Sequence, residues 1–186
     1  MKDMPFYLDV KIPSPLTIVM SKPDPDHVDR ILAQWNRERP DLDVAPMGII
    51  GRLGRLRAHI SRAHEATFQS HGLNGASFDL LATLLRSGPP YRLSPSELLD
   101  TMMITSGTMT NRIDQLEKQG LVERLPHPED RRALLVALTD KGRTVIDAAV
   151  TDHVDNQHRL VETLTPEERV ALDTLLKRYL ATFEAS

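Results

Sequence analysis

Apolar residues recur at intervals of three and four through most of the chain, and the interruptions fall where glycine, proline or a capping side chain would end a helix. Asp24 and Pro25 suit an N-cap and a first helical position, after which Val28, Ile31, Leu32 and Trp35 share one face of a helix that stops at Pro40. A longer helix is expected from about residue 45, with Ile49, Leu53, Leu56, Ile60 and Phe68 recurring along it and Gly72 as its stop. Asn74 or Ser77 caps a third, SFDLLATLLRSG, and PPYR breaks the chain behind it. Residues 1–23, with Pro5, Pro13, Pro15 and Pro23, hold no sustained period and are expected to form an irregular arm.

The middle of the chain changes rhythm. Ser94, Pro95 and Glu97 form a capping box with proline at the first helical position, predicting a short helix to about Met102. Residues 105–119 make a second, with Met109, Ile113 and Leu116 on its buried stripe and Gly120 as its left-handed stop. Two short helices separated by a tight turn form the skeleton of a helix-turn-helix. LVERL and ALLVALT then read as two strands of a hairpin, joined by the charged, proline-containing loop PHPEDRR. Thr139 caps a long helix, and a box from Thr165 to Glu168 opens the last one. Val170, Leu172, Leu175, Leu176, Leu180 and Phe183 make that last helix too apolar to stand in water without a partner surface. The expected fold is therefore mainly α with a small β-hairpin.

Composition narrows the function classes. The 186 residues include no cysteine, so disulfides and thiolate metal sites are excluded and a reducing cytoplasm is the expected compartment. No apolar run reaches the roughly 18–20 residues of a membrane span, and no uninterrupted apolar centre marks the N-terminus as a secretory signal. His59 and His64, like His153 and His158, lie five apart, about 140° round a helix, which favours solvated or core histidines over a metal site. Without a nucleophile motif, a metal-binding HExxH or a phosphate-cradling glycine loop, an enzyme is not expected.

Charge gives a nucleic-acid partner no help. The net charge is -3, and from Arg92 to Arg143 eight basic residues face eight acidic ones. A polyanion would have to be gripped by groups segregated in space. Residues 105–112 supply one such arrangement, because a helix enters the major groove when its N-terminal face is small and polar. Gly107 permits close approach, Ser106, Thr108 and Thr110 suit phosphates, and Asn111 suits adenine or a phosphate. In a wing, the hairpin loop lies over the minor groove, whose negative potential favours an inserted arginine. Arg131 and Arg132 stand at that tip, with Asp130 expected to turn inward and hold one of them.

The stretches SPSEL, TSGTMTNRIDQLEKQGLVER, PEDRR and LVALTDKGR resemble the winged helix-turn-helix of MarR-type bacterial transcriptional regulators, strongly over about residues 75–150. The resemblance implies a homodimer whose first and last helices form the interface while two recognition helices enter successive major grooves of a palindrome in double-stranded DNA. Beyond the irregular arm at 1–23, it implies dimerisation and ligand-pocket helices at 24–74, a DNA-binding winged helix-turn-helix at 75–139 and dimerisation helices at 140–186. It also implies repression relieved by a small ligand, the alternative being a winged-helix protein-interaction module.

A narrower likeness, to the urate-responsive, PecS-like branch, rests on LAQWNRERPDLD, SFDLL, MTNRIDQLE and LVER. It implies Trp35, Asp79, Arg112 and Arg124 as ligand residues and urate, another purine metabolite or a phenolic carboxylate as effector. Trp35 would stack on the planar ring and the arginines would pair with its charge. Asp79, held by those arginines, would be displaced by the anion and so tilt the helix carrying Arg112. On the residues alone, Trp35 equally suits a core or interface, Asp79 a cap or helix dipole, Arg112 a phosphate and Arg124 a strand surface.

Overall fold

The computed structural model describes residues 24–102, 106–128 and 133–184. Helix α1 (His27–Glu38) and the first turns of α2 (Ala45–Ser70) form one compact unit that ends at Gly54. Asp26, rather than Asp24, caps α1, because its carboxylate accepts from the Asp29 N–H while the Asp29 carboxylate accepts from the Asp26 N–H, each at 2.9 Å. A reciprocal box satisfies two orphan amides at once, which a lone Asp before Pro25 does not. Gly48 and Gly51 let α1 lie close on α2: a Cβ on Gly48 would stand 3.2 Å from Leu32, and one on Gly51 3.4 Å from Val28.

Arg52 latches the same corner. Its guanidinium donates to Asp26 at 2.9 and 3.2 Å and to Asp29 at 2.7 Å. Hydrogen bonds from Arg52 and then the Asp29 amide lower the Asp26 pKa from 3.8 to about 2. A carboxyl whose folded pKa is depressed stabilises above its unfolded pKa and loses that contribution as the pH falls through the folded one. Amide exchange in α1, measured against α3, is thus expected to stay slow down to pH 3.8 and quicken toward pH 2. In Arg52→Met it should be fast already at neutral pH; equal protection in the two proteins would remove the latch.

The second unit, residues 55–186, holds the larger core. It comprises the rest of α2, then α3 (Gly75–Arg86), β1 (Arg92–Leu93), α4 (Pro95–Met102), α5 (Ser106–Lys118), β2 (Val122–Pro126), β3 (Leu134–Leu138), α6 (Asp140–Leu160) and α7 (Pro166–Glu184). Asn74 caps α3 through the Ser77 N–H, and Ser77 itself is buried, which decides between the two expected caps. Leu80, Leu81 and Leu84 of α3, Leu98 of α4, Leu116 of α5 and Ile146 of α6 are fully enclosed. Each such side chain stabilises by roughly 1.5–3 kcal/mol relative to exposure.

The expected hairpin gains a third strand. The sheet runs β1-β3-β2, antiparallel throughout, with Arg92 opposite Ala137 and Arg124 opposite Val136. Two residues, Arg92 and Leu93, carry no readable alternation, so periodicity alone misses β1. With a strand on either side, β3 buries Leu135, Val136 and Ala137 in succession.

Helix α7 has no buried residue. Val170, Leu175, Leu180 and Phe183 are 62, 53, 54 and 65% exposed in the single chain. Among the described residues no helix is long and apolar enough to cross a membrane.

Candidate nucleic-acid interface

Helix α4 is fixed by the expected box: Glu97 accepts from the Ser94 N–H at 2.7 Å and from its hydroxyl at 2.8 Å, which holds the Glu97 carboxyl below its usual range. Leu98 anchors its inner face. Helix α5 begins at Ser106 and turns Met109, Ile113 and Leu116 inward, as their spacing predicts. That leaves Thr108, Thr110, Asn111 and Gln115 on the outer surface. Gln115 donates its amide to the Asn111 Oδ1 at 3.4 Å, so Asn111 presents its own N–H groups outward. Sequence reasoning passed over Gln115, although its place one turn beyond Asn111 was available as a signal.

The far end of α5 is secured by the start of α6. Gly120, at φ +68°, closes the helix, with its N–H donating to Glu117 and the Leu121 N–H to Leu116, both at 2.9 Å. This Schellman arrangement satisfies two carbonyls that a helix end leaves open. The next ones are met from outside the helix. The Thr139 hydroxyl donates to the Gly120 carbonyl at 2.7 Å, the Thr139 N–H to Leu121 at 3.2 Å, and the Lys141 ammonium to Gln119 at 2.7 Å. Thr139 also caps α6 by accepting from the Gly142 N–H at 2.9 Å.

Arg124 flanks α5 from β2. Its guanidinium forks to Asp114 and Glu117, two carboxylates of α5 about one turn apart, and this raises the Arg124 pKa, the Asp114 hydrogen bond first among the causes. Forked, charge-assisted pairs of this kind fix geometry as well as charge. The resemblance led us to expect Asp79 to be held by Arg112 and Arg124. Among the described residues Asp79 forms no ion pair with either arginine, because Arg124 already has two nearer carboxylates on α5. Arg112 is half-buried on α5, and among the described residues it too has no ion pair. Trp35 lies in the first unit on α1, 42% exposed.

Asp79 faces a different group. Behind it in the second unit, Phe68 of α2 stacks on Phe78 of α3 with ring centroids 4.2 Å apart, and His153 of α6 sits 4.9 Å from Phe78 and 4.6 Å from His64. Burial pushes the His153 pKa down, His64 adds to the fall and Asp79 opposes it. The histidines meet across helices, which spacing along one helix does not reveal. Asp130, Arg131 and Arg132 at the wing tip lie outside the described residues, as do the side chains of Ser106 and Gly107. Among the described residues no cluster of side chains fits a metal ion.

Comparison with known proteins agrees with this architecture. A MarR family model matches residues 71–133. The chain is 42% identical over 151 residues to the HTH-type transcriptional regulator PecS of Dickeya dadantii, covering 81% of this chain and 91% of that protein. A crystal structure of mutant MarR from E. coli complexed with operator DNA aligns with a TM-score of 0.61 at 28% identity, over 78% of this chain and 97% of that one. A MarR family transcriptional regulator from Streptomyces coelicolor, in complex with DNA, aligns with a TM-score of 0.66 at 25% identity, over 76% and 89%.

Proposed function

The chain belongs to the MarR family of DNA-binding transcriptional regulators, and from that premise we propose that it is a cytoplasmic repressor that grips a palindromic operator as a homodimer and lets go when a small planar anion such as urate binds. The observation that carries the DNA-binding half is the outer face of α5. Thr108, Thr110, Asn111 and Gln115 stand on a helix whose inner face is packed and whose end is tied to α6. Short polar side chains on a firmly held helix suit the major groove, where amides meet base edges and hydroxyls meet phosphates. Asn111, with its oxygen engaged by Gln115, offers donors to an acceptor such as the O6 or N7 of guanine or the N7 of adenine. In this reading Arg131 and Arg132 enter the minor groove and Asp130 steadies the wing. The first and last helices pair the two chains.

The effector half rests on Trp35, Asp79, Arg112 and Arg124. An anion that reaches Arg124 must compete with Asp114 and Glu117 for the same guanidinium, so capture of the ligand and release of α5 are two sides of one exchange. Of these four, Arg112 stands without an ion pair among the described residues and is the natural first contact for incoming charge.

The test uses the intergenic DNA upstream of the protein's own gene. Purified protein is expected to shift it at nanomolar concentration, with affinity falling roughly 10³-fold or more between 50 and 200 mM salt. Urate added to the preformed complex should release the DNA. Absence of any specific shift would refute the regulator acting at that site, and a complex indifferent to urate would refute urate as its effector while leaving DNA binding in place.

A further inference from the structure

The reading helix carries negative charge where a DNA-binding helix is expected to avoid it. Asp114 and Glu117 lie on the flank of α5 next to the face that bears Asn111 and Gln115, at 45 and 39% side-chain exposure. A helix seated in a major groove about 12 Å wide has phosphate rows on both sides. Charges on its flank then lie within or near the Debye length of about 8–10 Å, too close for salt to screen them fully. The chain as a whole, at net charge -3, supplies no basic surplus to offset the two carboxylates. Arg124 offsets one of the two charges locally: its fork from β2 engages both carboxylates, and its side chain, 27% exposed, is more sheltered than either partner. Lys118 closes the last turn of α5, and Lys141 of α6 is committed to the Gln119 carbonyl.

We propose that Arg124 is a positioning and charge-masking residue of the DNA interface, which offsets one of the two charges of Asp114 and Glu117 and ties both carboxylates to β2, so that the reading helix can enter the groove of a phosphate polymer. This rests on the reading of α5 as the groove-entering helix. The mask makes Arg124 essential for DNA binding without contact between Arg124 and the DNA.

The experiment is a charge cycle on the full-length protein, read by fluorescence anisotropy with the upstream operator DNA. Arg124→Gln is expected to weaken operator binding about tenfold to a hundredfold, as like charges set against a polyanion do. Asp114→Asn with Glu117→Gln, in a chain that keeps Arg124, should raise affinity by no more than about threefold, since the carboxylates it removes were tied to β2 and partly offset by Arg124. The triple variant should return to within about threefold of the parent protein. The decisive quantity is the coupling: without Arg124 the two carboxylates are free to swing toward the phosphates, so the same two carboxyl changes must gain more affinity without Arg124 than with it. An equal gain in both backgrounds, or no recovery in the triple variant, overturns the mask. Were Arg124 itself on a phosphate, its loss would lower the salt slope by about one and the triple variant would stay weak. Should Arg124→Gln fail to fold, Arg124→Lys replaces it. A point-charge ammonium lacks the fork that serves both carboxylates, so a several-fold weakening restored by Glu117→Gln is expected. If the parent protein ignores every DNA offered, the reading of α5 falls, whereas a parent that binds beside an unaffected Arg124→Gln leaves that reading intact and removes the mask alone.

Discussion

Replacing Gly142 with alanine is expected to lower the unfolding temperature by about 6–12 °C, the size of an effect of about 3 kcal/mol in a protein of this length, and to abolish operator binding with it. A Cβ at this position would stand 1.8 Å from the Leu121 carbonyl oxygen and 2.8 Å from its carbon. Those atoms are backbone and cannot swing aside as the tip of a side chain would. They are also engaged, because the Leu121 oxygen accepts from the Thr139 N–H. The added methyl must therefore push α6 off the end of α5, separating Thr139 from Gly120 and Lys141 from Gln119. Loss of three capping contacts frees the last turn of α5, the helix proposed to read DNA. Thermal unfolding followed by circular dichroism, with anisotropy on the same sample, checks both halves. A variant that melts within about 2 °C of the parent would mean that the contact relaxes at little cost.

Charging α7 should have the other large effect. Leu172, Leu176 and Phe183 recur at helical spacing among a larger set of exposed apolar residues, and α7 buries none of its residues within the chain. An apolar face of that extent signals a partner, and a second copy supplies the same face by symmetry. Leu176→Glu together with Leu180→Glu would set carboxylates into that face, where burial of an unpaired charge is strongly unfavourable. The proposed dimer is then expected to separate into folded monomers, since the core around Leu80, Leu98 and Leu116 lies elsewhere. Operator affinity should fall by a factor of about 10² or more, as the second half-site ceases to be an intramolecular partner of the first. Sedimentation at micromolar concentration reads the assembly and anisotropy reads the DNA. A doubly charged variant that still sediments as a dimer would move the interface to another face.

Much of the frame was legible because its signals are local. The Ser94 and Glu97 box, the inward stripe of Met109, Ile113 and Leu116, the Gly120 stop and the Thr139 cap each depend on residues within a few positions of one another. The same locality explains the misses. Asp24 and Asp26 are equally good caps in isolation, and only the return bond from Asp29 and the latch from Arg52 select Asp26. Strand β1 exists because β3 offers it an edge, which two residues cannot announce. The ion pairs of Arg124 were not legible either, because Asp114 and Glu117 stand ten and seven positions back and reach it only once β2 folds against α5. The meeting of His64 with His153 spans still more of the chain.

One residue, Thr139, joins the last position of β3 to the first of α6, and it is bonded at both ends. Such a joint has no slack. Whatever tilts the long helix must turn the tip of the reading helix with it, as one gear drives another. If two such chains read DNA side by side as proposed, the phase of their reading helices would pass through this strut rather than through a pliable loop, and a single residue inserted beside Thr139 would be expected to disturb it.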